Sequence, residues 1–367
     1  MASAAAPRVT PFGNYLLDEL LAEGGMARVY KARLRGVGGF EKPLVVKQIL
    51  PELAQDPRFV ALFVQEAKTL VRLGHPHIVP VYELGVVDGT YLLAMEYVEG
   101  ATLRDVLRDG PLSPAAAAQL LAQVAEALDH AHDRFALVHR DVTPRNVLVD
   151  RSGQARLVDF GIAAPAEGEA PRFGSPGYMA PEQLMGGAID GRADLFALGA
   201  LLFESLTGAP AFAGEGQDEA RRRILGGEGP ALPATVPSAL RELGAALLER
   251  LPADRPPDAA TVARAFRAFL ARERPEGAHR EMARRVDDTR KRAAPVVQPA
   301  PAPEREPTGA TRSLATAEML TRALAASEAP PRAGSEPPGP TAPLDAPSAP
   351  PSPPRRRAGP LLLAGAL

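Results

Sequence analysis

The chain has 367 residues, a formal net charge of −2, 46% hydrophobic and only 5% aromatic residues, and neither tryptophan nor cysteine. That length and apolar fraction allow a large core, built mainly from leucine, valine and alanine. The missing cysteines exclude disulfides, thiolate catalysis and cysteine-based metal sites and permit a reducing compartment, while the near-neutral balance gives no reason to expect a nucleic-acid partner.

Residues 1–13 read as a flexible N-terminus without the basic and then apolar order of a signal peptide. From Asn14, "NYLLDELLAEGGMARVYKARL" predicts two strands around a turn at Gly24 and Gly25, and "KPLVVKQIL" predicts a third. "DPRFVALFVQEAKTLVRLG" has the apolar spacing of an amphipathic helix. Two more strands follow in "IVPVYELGVVDGTYLLAMEYV". The pattern then turns helical in "SPAAAAQLLAQVAEALDHAHDRF", "ADLFALGALLFESLTG" and "SALRELGAALLERL". A small β-rich lobe followed by a larger helical one leaves a cleft between them as the natural ligand site.

Composition changes near residue 272. Stretches such as "PVVQPAPAPEREP" cannot bury enough apolar surface to offset ordering, so 273–357 reads as a Pro/Ala-rich disordered linker. The helix-like patches "AHREMARRVDDTRKRA" and "TRSLATAEMLTRALAASEA" within it read as the same solvated linker, with transient helices or docking segments as the alternative. Arg355, Arg356 and Arg357 then precede an apolar run over 358–367. Ten residues are too few to cross a bilayer, which takes about 20. The basic-then-apolar order reads as the start of a membrane helix with its cytoplasmic side at the arginines.

The chemistry concentrates in a few short runs. Gly24 and Gly25 leave room for backbone amides to approach phosphate oxygens, although such a pair also suits a plain hairpin turn. Lys47, within "VVKQ", sits on a strand expected to be buried and needs an anion; Glu66, on the following helix, is the candidate, as a functional pair or a structural one. In "HRDVTPRN", Asp141 and Asn146 stand five apart, and Asp159 follows in "LVDFG". Asn146 is one of only two asparagines in the chain. One carboxylate to position a hydroxyl, with an amide oxygen and a second carboxylate as hard ligands for Mg²⁺, is a phosphoryl-transfer set.

The order Lys47, Glu66, His139-Arg140-Asp141, Asn146, Asp159-Phe160-Gly161 and Ala180-Pro181-Glu182 resembles the eukaryotic-like protein Ser/Thr kinases of bacteria, over about residues 14–272. The resemblance implies an α+β, two-lobed kinase fold with an N-lobe over 14–98 and a C-lobe over 99–272. It implies an ATP-dependent enzyme that moves the γ-phosphate of Mg-ATP to Ser or Thr hydroxyls of proteins, itself included. Lys47 would grip the α- and β-phosphates and pair with Glu66, Asp141 would be the catalytic base, and Asn146 and Asp159 would hold Mg²⁺. Ala22, Glu23, Gly24, Gly25, Met26 and Ala27 would cover the phosphates. Met95 matches the residue guarding the adenine pocket; the backbone of Glu96 and Val98 would bind the adenine edge, and Val29, Val45 and Leu148 would sandwich its ring. Leu70, Val81, His139 and Phe160 would stack as a spine. Glu182 would pair with Arg255, and Asp194 would anchor the catalytic loop, a role compatible with also capping its helix.

This chain departs from the family pattern at several points. Ala22 and Ala27 replace the first and third glycines of the phosphate loop, and Thr143 stands where many Ser/Thr kinases carry a lysine. Arg145 is the substitute expected to reach the γ-phosphate. "FGIAAPAEGEAPRF" holds no Ser, Thr or Tyr, so either Glu167 or Glu169 replaces an activation-loop phosphate on Arg140, or the short loop is disordered and Arg140 bonds backbone carbonyls. Ser175, in "GSPGY", resembles the hydroxyl that contacts the catalytic aspartate and points to Ser/Thr acceptors. The alternative is a pseudokinase acting as a nucleotide-binding scaffold. Tethering of a cytoplasmic kinase domain to the inner face of the membrane, and a homodimer, complete the expectations.

Overall fold

The computed structural model describes residues 9–160, 175–214, 216–273 and 277–292. The first lobe is one antiparallel sheet of β1 (Thr10–Phe12), β2 (Tyr15–Glu23), β3 (Ala27–Arg35), β4 (Glu41–Ile49), β5 (Val81–Val87) and β6 (Thr90–Glu96), in the order β1-β2-β3-β4-β6-β5. Helix α1 (Pro57–Leu70) follows β4. It starts where the Asp56 side chain accepts the Arg58 amide and Pro57 supplies a preset φ. Phe63, fully buried, anchors it edge-on against Tyr91 of β6.

A second, three-stranded sheet, β7 (Gly100–Thr102), β8 (Val147–Asp150) and β9 (Ala155–Leu157), opens the helical lobe. Its helices are α2 (Leu103–Leu107), α3 (Pro114–Phe135), α4 (Pro181–Leu184), α5 (Arg192–Thr207), α6 (Gln217–Gly226), α7 (Ser238–Leu247), α8 (Ala259–Glu273) and α9 (Ala278–Arg292). Helix α3 begins at a Ser113 cap on the Ala116 amide. Seven buried alanines along it let neighbouring helices approach closely, which is how a core poor in aromatics reaches native density. Helix α5 is apolar on every side and accordingly buried on every side. It stops at Gly208, whose φ of 75° only glycine adopts at little cost.

One buried ion pair fastens this lobe. Arg255 donates to both carboxylate oxygens of Glu182 at 2.7 and 2.9 Å, and to the carbonyls of Glu249, Arg192 and Arg250. Every charge is satisfied in place; removing either partner would strand the other, at a cost of about 3–5 kcal/mol.

The expected linker is corrected at its start. Residues 278–292 form α9, seated on the second lobe, rather than solvated chain. Met282 and Val286, one helical turn apart, are fully buried. Glu281 accepts the Ser113 amide and hydroxyl at 3.2 and 2.5 Å, and Arg285 donates to the carbonyls of Gly110 and Pro111. Residues 1–8, the rest of that linker (293–357) and the apolar run at 358–367 lie outside the described residues. Among the described residues no helix is long and apolar enough to cross a membrane.

Three of the six histidines meet where the loop before β5 crosses α3. The His75 ring stacks on His130 at 5.1 Å and meets His77 edge-on at 5.6 Å. Burial, then the two neighbouring rings, push the pKa of His75 down from 6.5 to about 4. Between those values the unfolded chain holds this proton and the folded chain does not, so acid favours unfolding. Urea midpoints should therefore fall as pH drops from about 6.5 to about 4, and His75→Phe should flatten that fall. An equally steep fall in the variant would contradict the assignment.

Candidate active site

The strand pleat sorts the residues of β4 onto two faces. Leu44 and Val46 are buried with Tyr15, Ala32, Leu92 and Ala94 on one side of the sheet. Val45 and Lys47 point the other way. Val45 lies opposite Met95, and Lys47 lies opposite Val29 on one neighbour and Leu93 on the other. Val45, Met95, Val98 and Leu148 join the main core that runs into the second lobe. Alternation thus puts Val45 on the Lys47 face, with Val29 opposite Lys47 on the neighbouring strand, while Leu148 comes from β8 of the second sheet. The Glu96 amide donates to the Pro80 carbonyl at 3.0 Å.

The turn between β2 and β3 carries Gly24, Gly25 and Met26, with Ala22 and Glu23 exposed on one strand and Ala27 buried on the other. The Gly24 amide closes the turn on the Ala27 carbonyl at 3.0 Å. Its φ is not left-handed, and an added Cβ would meet nothing nearer than 4.0 Å. Neither conformation nor packing demands glycine there. What a side chain would obstruct is the open space in front of the turn.

Lys47 crosses from the first lobe to the second, its Nζ 2.7 Å from Asp159 Oδ1. It is largely buried and has its anion, as a lysine on an interior strand must. Glu66, the expected partner, lies on α1, and its side chain is outside those described. Gly161 is also outside the described residues. Asp159 holds a left-handed φ of 57°, which aims its carboxylate at Lys47 while Phe160 turns into the core. The Phe160 ring packs on His139 at 4.5 Å. Leu70, Val81, Met95 and Phe160 border a cavity of about 20 Å³ behind Met95, room for one water.

The loop from His139 to Asn146 is held by buried hydrogen bonds. Asp194 of α5, almost wholly buried, accepts the His139 and Arg140 amides at 2.7 Å each, one on each oxygen. The His132 ring supplies a third contact at 2.8 Å. A Cβ on Gly191 would meet that ring at 2.5 Å, so glycine there makes space for it. Arg140 sits at φ 67°, a conformation costing a non-glycine residue about 1–3 kcal/mol, and these bonds hold it there. Gln183 adds a bond to the Arg140 carbonyl. Asp194 therefore ties the loop down; it lies in the first turn of α5, whose capping position is Gly191, so the compatible capping role is not its own.

Within the loop, Asn146 Nδ2 donates to the Asp141 carbonyl and to Asp141 Oδ2, both at 2.8 Å. That use of the amide nitrogen leaves the amide oxygen free to bind a cation. With the Asp159 carboxylate it makes a hard oxygen pair that suits a divalent ion completing its shell with phosphate oxygens. Among the described residues no three acidic or histidine side chains cluster well enough to hold a metal by themselves. The His139 ring accepts the Asp141 amide on Nδ1 and faces the Val158 carbonyl with Nε2, which assigns the ring proton to Nε2. Burial raises the pKa of Asp141, and Asp159 adds to the rise; His139, Asn146 and the Ser175 amide oppose it.

The Ser175 amide thus lies near enough to Asp141 to favour its ionised form. Arg145 is exposed and Thr143 buried. Arg140 Nε is buried without a partner among the described residues, and Glu167 and Glu169 fall outside them. Sequence reasoning missed His132, Gln183 and the Tyr178–Glu204 bond of 2.5 Å beside the loop. Burial raises both pKa values of that last pair; Glu204 adds to the rise at Tyr178, whereas the Tyr178 bond and Arg104 oppose it at Glu204. Each of the four sits in a helix or turn whose pattern looks purely structural, so only tertiary contact reveals it.

The protein kinase domain family matches residues 15–266. The chain is similar to tyrosine-protein kinase MasK of Myxococcus xanthus, 38% identical over 286 residues, 72% of this chain and 44% of that one. It is 38% identical to serine/threonine-protein kinase PknD of Mycobacterium tuberculosis over 69% of this chain and 39% of the relative. It thus spans less than half the length of these curated relatives. Among solved structures, the Mycobacterium tuberculosis PknI kinase domain matches 73% of this chain and 99% of its own at 31% identity, with a TM-score of 0.55.

Proposed function

Because this chain belongs to the protein kinase family, we propose that it transfers the γ-phosphate of ATP to serine or threonine hydroxyls of proteins, its own among them. The observation that carries this reading is the pair of bonded sets at the lobe junction, Asp141 with Asn146 and Lys47 with Asp159. Family members use ATP with a divalent ion, which we take to be Mg²⁺. That ion would neutralise phosphate charge when bound, and Asn146 and Asp159 are the residues to hold it.

The protein's own residues do the rest. Lys47 and the amides of the Gly24–Gly25 turn orient the phosphates, and Val29, Val45 and Leu148 hold the adenine. Asp141, fixed by Asn146 and the tethered loop, accepts the proton of the acceptor hydroxyl. That oxygen bonds to the γ-phosphorus as the bond to ADP breaks. The scaffold alternative gains little support, since Lys47, Asp141, Asn146 and Asp159 are all present and mutually placed. The name of the Myxococcus relative favours one second reading, tyrosine as acceptor. Placement of the kinase domain at the inner face of a membrane is a further part of the proposal, supported by Arg355, Arg356 and Arg357 before an apolar run.

Label from γ-labelled ATP should appear on Ser or Thr of the chain and of a generic basic protein, and should vanish in Asp141→Asn. Label on tyrosine would favour the second reading, and bound ATP without any transfer would overturn the enzyme assignment. Arg145, exposed beside Asp141, is proposed to contact the γ-phosphate in place of the lysine replaced by Thr143. Arg145→Ala should then lower kcat about tenfold or more, as loss of a transition-state charge contact does; unchanged turnover would refute the role.

A further inference from the structure

The chain linking β6 to β7 is the strip on which the adenine edge is placed, and Glu99 is the residue after Val98 in it. Two groups hold Glu99. Its carbonyl accepts the Arg151 amide at 3.2 Å, and its carboxylate accepts Arg290 of α9 at 2.7 Å. Arg151 approaches both Glu99 and Asp287 of α9, at 3.5 and 3.8 Å, so the four side chains form one alternating-charge patch across the strip. The family match stops at residue 266, before α9 begins at Ala278.

The seat of α9 is built for it. Gly153, in the turn between β8 and β9, has φ +82°, and a Cβ there would lie 2.6 Å from the His279 carbonyl and 3.0 Å from the Ala283 amide. With Met282 and Val286 buried behind that contact, the helix has one position on the lobe, and Arg290 is delivered to Glu99 at its far end.

We propose that α9 braces the nucleotide-binding strip and that Arg290, acting through Glu99, is a positioning residue for ATP. The inference rests on the kinase reading above. Tying Glu99 removes rotational freedom from the adjoining Val98 peptide, whose amide is the group proposed to meet adenine. Without the tie, ATP must order that peptide when it binds. The pair is partly exposed, 53% for Glu99 and 35% for Arg290, so its effect is small and salt-sensitive.

The test is calorimetric ATP binding by the full chain, at low salt and at about 0.5 M salt, where charge screening shortens the interaction range to a few ångströms. Arg290→Ala should bind ATP about threefold to fivefold more weakly at low salt, the span expected of an exposed pair. The difference should close at high salt. Glu99→Gln should match it, the double variant should lose no more, and Arg290→Lys should recover part of the affinity. In turnover the loss should appear in KM for ATP, with kcat within about twofold, since uniform binding alone is removed. Equal affinity of Arg290→Ala and parent at low salt would overturn the proposal. So would a loss that salt does not touch. A parent chain that binds ATP but transfers nothing would overturn the kinase reading and leave this one standing; a parent that binds no ATP would overturn both.

Discussion

A carboxylate buried against two backbone amides is the constraint on which the rest of the site depends. Asp194 lies inside a helix that is apolar all round, where an unpaired charge would be prohibitively costly. It is tolerated because the His139–Asn146 loop gives it two amides and His132 gives it a third contact. The same bonds offset the left-handed conformation of Arg140 and so set the direction in which Asp141 leaves the loop. The geometry of the proposed catalytic loop and the stability of the core are here one set of interactions.

The second lobe holds that loop, and the first lobe supplies what faces it. Alternation along β4 puts Lys47 on the cleft side, and the strained φ of Asp159 brings its carboxylate across to meet it. Turning Asp159 outward also turns Phe160 inward onto His139, so the ion pair and the aromatic contact report one backbone conformation. The three-histidine contact lies at the same junction of lobes, between the loop before β5 and α3.

Much of this was legible in the sequence, for physical reasons that differ from part to part. "HRDVTPRN" stood out because a strand-opening asparagine packs poorly and had to be explained by chemistry. The strands and long helices followed from alternation and three-to-four spacing, and the Glu182–Arg255 pair from motif order. His132 was not legible, since a histidine near the end of an amphipathic helix carries no sign of a partner 62 residues away. Helix α9 was misread because its seam is only Met282 and Val286 amid charged residues. Its other anchors are backbone carbonyls of Gly110 and Pro111, which no side-chain pattern encodes.

The most direct test of this account is turnover of Asp194→Asn measured beside its ATP affinity and its thermal melt. Asparagine keeps the shape but turns an amino group towards a backbone amide, leaving one loop bond unmade. The account predicts a folded chain with ATP affinity within about twofold of the parent and kcat lower by about a hundredfold, the cost of misplacing a catalytic group by about an ångström. A folded variant whose kcat stays within about threefold of the parent would contradict it, because the loop would then hold Asp141 in place without its buried anchor.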